Sequence, residues 1–280
     1  TGAASNGTAA IDSSTGVFTY SPNADFNGSD SAIFEVSDGI LSTNLMINLT
    51  VTQVNDAPVI TQGNGPLSYS LNEDSNLTFD LNATDLEGDT LTWSIESDPT
   101  NGTATVTAGT GMVTYAPTAD FEGNDSLTLT VSDATLSDSV VVNLTVNGVN
   151  DAPVINQVGP LSLTVAEDSS LSYDLNATDV DAGTTLTWSV TGAASNGTAA
   201  IDSSTGVFTY SPSADYNGSD SATLEVSDGI LSTNLMINLT VTPVNDAPVV
   251  TQGNGPLSYS LNEDSNFTFD LNATDLEGDV

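Results

Sequence analysis

Apolar and polar residues alternate one by one along most of this chain. Leu77, Phe79, Leu81 and Ala83 fall on one side of an extended segment, and Thr78, Asp80 and Asn82 on the other. Leu127, Leu129 and Val131 repeat the pattern, as do Val140, Val142, Leu144 and Val146. A period of two predicts strands with one buried face, and no 3.6-residue stripe is sustained anywhere. Such alternation predicts antiparallel sheets. Turn residues, among them Asn101-Gly102 and Gly63-Asn64-Gly65, separate about seven segments of this kind per repeat. Seven short strands in a small domain predict an immunoglobulin-like sandwich. Trp93 and Trp188 are its expected core anchors.

The segments recur. The phrase VNDAPV occurs three times, placing Asp56, Asp151 and Asp246 at intervals of 95 residues. That period is too long for a solenoid turn and suits a small autonomous domain. Residues 1–90 match residues 191–280 at all but eight positions, whereas adjacent repeats are far less alike. Duplication of a two-domain unit accounts for this alternation. A selective account is that unlike neighbours exchange strands less readily during folding. With boundaries at VNDAPV, residues 55–149 and 150–244 are complete repeats. Residues 1–54 then form the C-terminal part of one repeat, and 245–280 the N-terminal part of another. The simplest reading is a window on a longer array; the other is that the end pieces complement each other between chains. Pro58, Pro153 and Pro248 lie at the junctions, where a fixed φ stiffens a linker.

Charge narrows the chemistry. The 280 residues include 37 Asp and Glu and no Lys, Arg, His or Cys. Nucleic-acid binding needs cations to neutralise phosphates, and none is present. Thiolate and imidazole metal sites are excluded, as are His bases, Lys Schiff bases and Cys nucleophiles. Acid–acid catalysis stays open chemically but needs a cleft that small repeated sandwiches do not provide, so no enzyme is expected. No apolar run approaches the length of a membrane span, so no membrane insertion is expected in this segment. The hydrophobic fraction of 38 % is enough to build cores despite a net charge of −37. Without a basic residue, each carboxylate must be solvated, bonded to backbone N–H groups or bound to a cation. Flexible oxygen cages suit Ca²⁺.

Laid end to end, one repeat reads LNEDS…LNATDLEGDTLTWSI…GMVTYAPTADFEG…LTLTVSDATLS…VVVNLTVNGVNDAPVI. This resembles the cadherin repeat in order and spacing. Residues 82–95 are similar to that family's AxDxDxG strand pair, 129–137 to its VxAxDxG segment, and VNDAPV to its linker. More closely, the chain resembles the cadherin-like tandem repeats of large bacterial surface adhesins. The resemblance implies an all-β fold of tandem immunoglobulin/cadherin-like Greek-key β-sandwiches arranged as an elongated rod. It also implies calcium held between successive domains. Carried over residue by residue, the first junction takes Asp25, Asn55, Asp56, Asp85, Glu87 and Asp133. The central one takes Glu73, Asp120, Glu122, Asn150, Asp151, Asp179, Asp181 and Asp228. The third takes Glu167, Asp215, Asn245, Asp246, Asp275 and Glu277. The chain departs from the family where a linker acid is replaced by Gln53, Gly148 or Pro243, and where NDAP stands for NDNAP. One or two ions per junction are therefore expected rather than three.

These expectations describe an extracellular, cell-surface spacer that holds an adhesive tip away from the cell and supports adhesion and biofilm. Its partners are the adjacent repeats of the same chain. The alternative is an adhesive binding module whose repeats contact surface glycans or like repeats on other cells. A third account makes the acidity an adaptation to high salt.

Overall fold

The computed structural model describes residues 2–63 and 65–275, which are all-β and fall into two compact units, 1–148 and 149–280. In the first unit, β1 (Gly7–Ile11) pairs with β2 (Phe18–Pro22), and β3 (Gly28–Ser37) with β4 (Ser42–Val51). A fuller set follows. It comprises β5 (Val59–Ile60), β6 (Leu67–Asn72), β7 (Leu77–Asp80), β8 (Ala83–Thr84) and β9 (Thr92–Ser97). It continues through β10 (Gly102–Val106), β11 (Met112–Pro117), β12 (Gly123–Ser132) and β13 (Ser137–Asn147). The order β6-β13-β12-β9 makes one sheet and β10-β11-β7 the other, while β5 and β8 form a short pair of their own.

Alternation decides which faces meet. Leu127, Leu129 and Val131 from β12, and Val140, Val142, Leu144 and Val146 from β13, turn inward onto Phe79, Val113 and Tyr115. Each such side chain contributes about 1.5–3 kcal/mol on burial. Trp93 enters the same core from β9, one of the two edge strands. Some equivalent positions on the end pieces lie open: Val36 is 64 % exposed where Val131 is fully buried, although Ala32, in the place of Leu127, is buried.

Two features differ from the sequence expectation. The alternation predicts antiparallel sheets, yet β6 runs parallel to β13, with Leu67 opposite Val142 and Leu71 opposite Val146. A period of two sorts faces and carries no strand direction, so it could not reveal this. The β5–β8 pair also lies beyond the seven expected strands, because two-residue strands leave no periodic trace.

The second unit repeats the plan. Leu161–Ala166 runs parallel to Ser232–Thr242, which pairs with Gly218–Ser227 and through it with Thr187–Gly192. Leu171–Asp174, Val207–Pro212 and Gly197–Ile201 form the opposing sheet. Its core gathers Trp188, Phe208, Tyr210, Leu224, Ile237 and Leu239.

Candidate metal centre

The linker builds the site from its own backbone outward. In the first unit, Asn55 Nδ2 donates to Asp133 Oδ2 at 2.7 Å and to the Asp56 carbonyl at 3.1 Å. The Asp56 N–H donates to Glu87 Oε2 at 3.2 Å. Asp133 Oδ1 in turn accepts the N–H groups of Thr135 and Leu136 at 2.6 and 2.7 Å. The Leu136 N–H, then Asn55, then the Thr135 N–H hold its carboxyl below the ordinary Asp value. Asn55 and Asp133 therefore act as a brace that sets the course of the linker, and Pro58 beside them is buried.

Asp85 faces the same space. Its Oδ1 accepts the Glu87 and Asp89 N–H groups at 3.0 and 3.1 Å. Its Oδ2 is shut off from solvent and finds no hydrogen-bond donor among the described residues. Asp25 borders the same space from the loop between β2 and β3, at a left-handed φ of 61°. A cavity of about 270 Å³ is bordered by Asp25, Asp56 and Glu87, and one of about 500 Å³ by Asp25, Asp56 and Asp85. Four carboxylates thus line two neighbouring cavities, and the chain has no Lys, Arg or His to offset them.

In the second unit the Asn150 and Asp151 part of the central set repeats this arrangement. Asn150 Nδ2 donates to Asp228 Oδ2 at 2.7 Å, and the Asp151 N–H to Asp181 Oδ2 at 2.8 Å. Asp179 Oδ1 accepts the Asp181 N–H at 2.9 Å, and its Oδ2 is buried without a donor among the described residues. The first unit carries Glu73, Asp120 and Glu122 of that set. Glu73 is only 4 % exposed, and Asp120 sits in a turn at φ 58°. A Cβ on Gly148 would lie 2.5 Å from Glu122 Oε2, so the glycine leaves room for that carboxylate.

The described residues of the third set lie within the second unit. One carboxylate oxygen from each of Asp168, Asp215 and Asp246 comes within 4.8 Å of the others. Burial first, and then the charges of Asp168, Asp215, Glu167 and Asp275, push the Asp246 carboxyl above its ordinary value. Asn245 Nδ2 bonds the Asp246 carbonyl at 2.9 Å, and the buried Glu167 takes the Val244 N–H at 2.6 Å. Glu277 lies outside the described residues. Asp168 was absent from the sequence-derived set, which took only Glu167 from its pair. The recurrence of Glu-Asp-Ser at 73–75, 167–169 and 263–265 was the available signal.

These donors fit one kind of ion. They are oxygens only, they are anionic, and they include the buried Oδ2 atoms of Asp85 and Asp179, which find no hydrogen-bond donor among the described residues. Hard divalent cations with six to eight oxygen ligands, above all Ca²⁺, meet that description.

Tandem β-sandwiches with carboxylates gathered at their linkers define a class of modular repeat protein. Residues 1–52 and 55–145, just over half of the chain, match the bacterial Ig domain family, and residues 150–243 match the bacterial cadherin-like domain. The chain belongs to the bacterial Ig-domain family and carries a bacterial cadherin-like domain. Human protocadherin-15 is 36 % identical over 110 residues, which are 37 % of this chain and 6 % of that protein. Chitinase A of Pseudoalteromonas piscicida is 32 % identical over 161 residues, 56 % of this chain and 19 % of that enzyme. The chain thus spans a small part of either relative. The crystal structure of mouse protocadherin-24 EC1-3 aligns with a TM-score of 0.50 at 19 % identity, covering 84 % of this chain and 86 % of that one, a likeness of fold. Repeats of these families are typical of adhesins and surface proteins, are typically extracellular and non-enzymatic, and the cadherin-like ones generally bind Ca²⁺. No helix among the described residues is long and apolar enough to cross a membrane.

Proposed function

We propose that this chain is a calcium-stiffened spacer of a large bacterial adhesin or surface filament, acting outside the cell and without catalysis. In this reading 55–149 and 150–244 are the complete repeats, flanked by the parts 1–54 and 245–280. The observation that carries it is Asp85 Oδ2, buried and unsatisfied beside Asp25, Asp56 and Glu87. An ionised carboxylate left so costs several kcal/mol. An ion held by Asp25, Asp56, Asp85 and Glu87 removes that cost and ties the linker to strands on both sides of it. Because the ion binds the folded chain and not the unfolded one, it also stabilises by mass action. The carboxylates of Asp168, Asp215 and Asp246 support the same role at the third linker. Small-angle scattering tests the spacer reading. Calcium should give a stiffer, more extended chain than chelator does, and identical profiles would show that the linker prolines, not ions, set the stiffness.

A second reading, glycan contact by the repeats themselves, has one observation in its favour. Asn101, Asn124, Ser126, Asn143 and Thr145 border a polar groove of about 570 Å³. Asn6, Ser29, Ser31, Asn48 and Thr50 border its counterpart of about 420 Å³. Amide shifts of these residues on titration with neutral oligosaccharides would favour it over spacing.

A further inference from the structure

The two complete cores fill one plan with different residues, and the differences offset one another. In the first, the Phe79 ring stacks on Tyr69 with centroids 4.3 Å apart, and its strand neighbour across the ladder is the small Val113. In the second, Tyr173 takes the place of Phe79, its ladder neighbour is the large Phe208, and Leu163 stands where Tyr69 did. A bulky ring beside this position comes from the N-terminal half of one repeat and from the C-terminal half of the other.

Further positions follow the same trade. Leu71 and Ile95 of the first N-terminal half become Val165 and Val190, each one methylene smaller. Val106, Val140 and Val142 of the first C-terminal half become Ile201, Leu235 and Ile237, each one methylene larger. Leu127 to Ala222 is the single counter-step among these C-terminal positions. Protein interiors are packed to crystal density, so both crowding and voids are felt.

We propose that these residues form a volume code that pairs each N-terminal half with its own C-terminal half. Residues 59–97 set on 197–242 would place both Tyr69 and Phe208 against Phe79 and crowd the core. Residues 154–192 set on 102–147 would bring Leu163 and Val113 together and leave a void. Strand exchange between repeats is a characteristic failure of tandem arrays, and the code opposes it whether or not the chain binds calcium.

The test uses the full chain, with each core reported by its own tryptophan, Trp93 or Trp188. Tyr69→Leu and Val113→Phe should each lower the melting temperature of the first core, by roughly 5–15 °C. The double variant should recover at least half of the larger loss. Should Val113→Phe not fold, Val113→Leu provides the same cycle with smaller shifts. Losses that simply add would overturn the code. In a second arm, Leu163→Tyr, Val165→Leu, Phe208→Val and Ala222→Leu together make the second core resemble the first. Refolding this variant at high concentration should yield several-fold more strand-exchanged dimer than the parent, and an equal yield would overturn the link to exchange.

Discussion

Tyr115 donates its hydroxyl hydrogen to Asp125 Oδ2 at 3.0 Å, and the bond joins β11 in one sheet to β12 in the other. Asp125 also accepts the N–H groups of Thr100, Asn101 and Ser126, so one carboxylate fastens both sheets and the β9–β10 crossover. Tyr20 with Asp30 and Tyr210 with Asp220 repeat the bond at 2.9 Å. In a chain without cysteine, this polar clasp does the tying that an inter-sheet disulfide does elsewhere. Tyr115→Phe should destabilise the first complete core by about 1–2 kcal/mol. Asp125→Ala should cost about 3 kcal/mol, because it also strands three N–H groups. Urea unfolding followed by Trp93 fluorescence measures both, and a neutral Asp125→Ala would show that the clasp is incidental.

The same carboxylates set the response to acid. Burial opposes the charge on Asp125, but its backbone donors and Tyr115 outweigh this and hold the group below its ordinary value. Asp220 is lowered in the same way, and the exposed turn residues Asp12 and Asp202 are held down to about 2 by Ser14 and Ser204. A depressed folded-state value means that the unfolded chain binds protons first. The stabilisation is therefore complete above the unfolded value near 3.9 and is lost as pH falls through the folded one. In chelator, the unfolding midpoint of the Trp93 core should be flat from about pH 7 to 5 and should fall below about pH 4. Asp125→Asn should flatten that fall; an unchanged slope would assign the acid sensitivity to other groups.

Much of this architecture was legible in the residues, and the gaps have physical causes. Period-two alternation located β7, β12 and β13 and put Leu129 and Val142 inside, where they are fully buried. It could not orient β6, since parallel and antiparallel neighbours impose the same face pattern. The recurrence of Tyr20, Tyr115 and Tyr210 was visible, but their Asp partners sit ten residues away on another sheet, a distance no local pattern spans. At the linkers, the resemblance to the cadherin repeat singled out Asp25, Asp56, Asp85 and Glu87, which line two neighbouring cavities. It overlooked Asp168, whose side chain reaches the cluster from a turn at φ 59° that sequence spacing does not encode.

Gly111 provides a test of the core that involves no charge. Its φ is 73°, a region that residues with a Cβ rarely enter. A Cβ there would strike the Leu81 carbonyl oxygen and lie 2.8 Å from Trp93 Nε1. Gly206 meets Leu175 and Trp188 in the same way in the second unit. Gly111→Ala should therefore destabilise the first core by at least about 2 kcal/mol and shift Trp93 emission to the red. An intact melt with unchanged emission would mean that the indole has room to move.

Asp85→Asn separates calcium binding from folding, because the two should respond with opposite signs. The amide oxygen can still accept the Glu87 and Asp89 N–H groups that Asp85 Oδ1 holds at 3.0 and 3.1 Å. What disappears is the charge on the buried, unsatisfied Oδ2 and its repulsion with Asp25, Asp56 and Glu87. Two such charges about 5 Å apart repel by roughly 3 kcal/mol at an effective dielectric near 20. In chelator, the variant should be as stable as the parent or more so, because a buried charge has been removed. In calcium the order should reverse, since the ion loses an anionic ligand and its affinity at this linker falls by about tenfold or more. Calorimetric titration gives the affinity, and thermal melts in chelator and in millimolar calcium give the two stabilities. If Asp85→Asn binds calcium as tightly as the parent, the linker carboxylates are turn and surface residues, and stiffness must come from the chain alone.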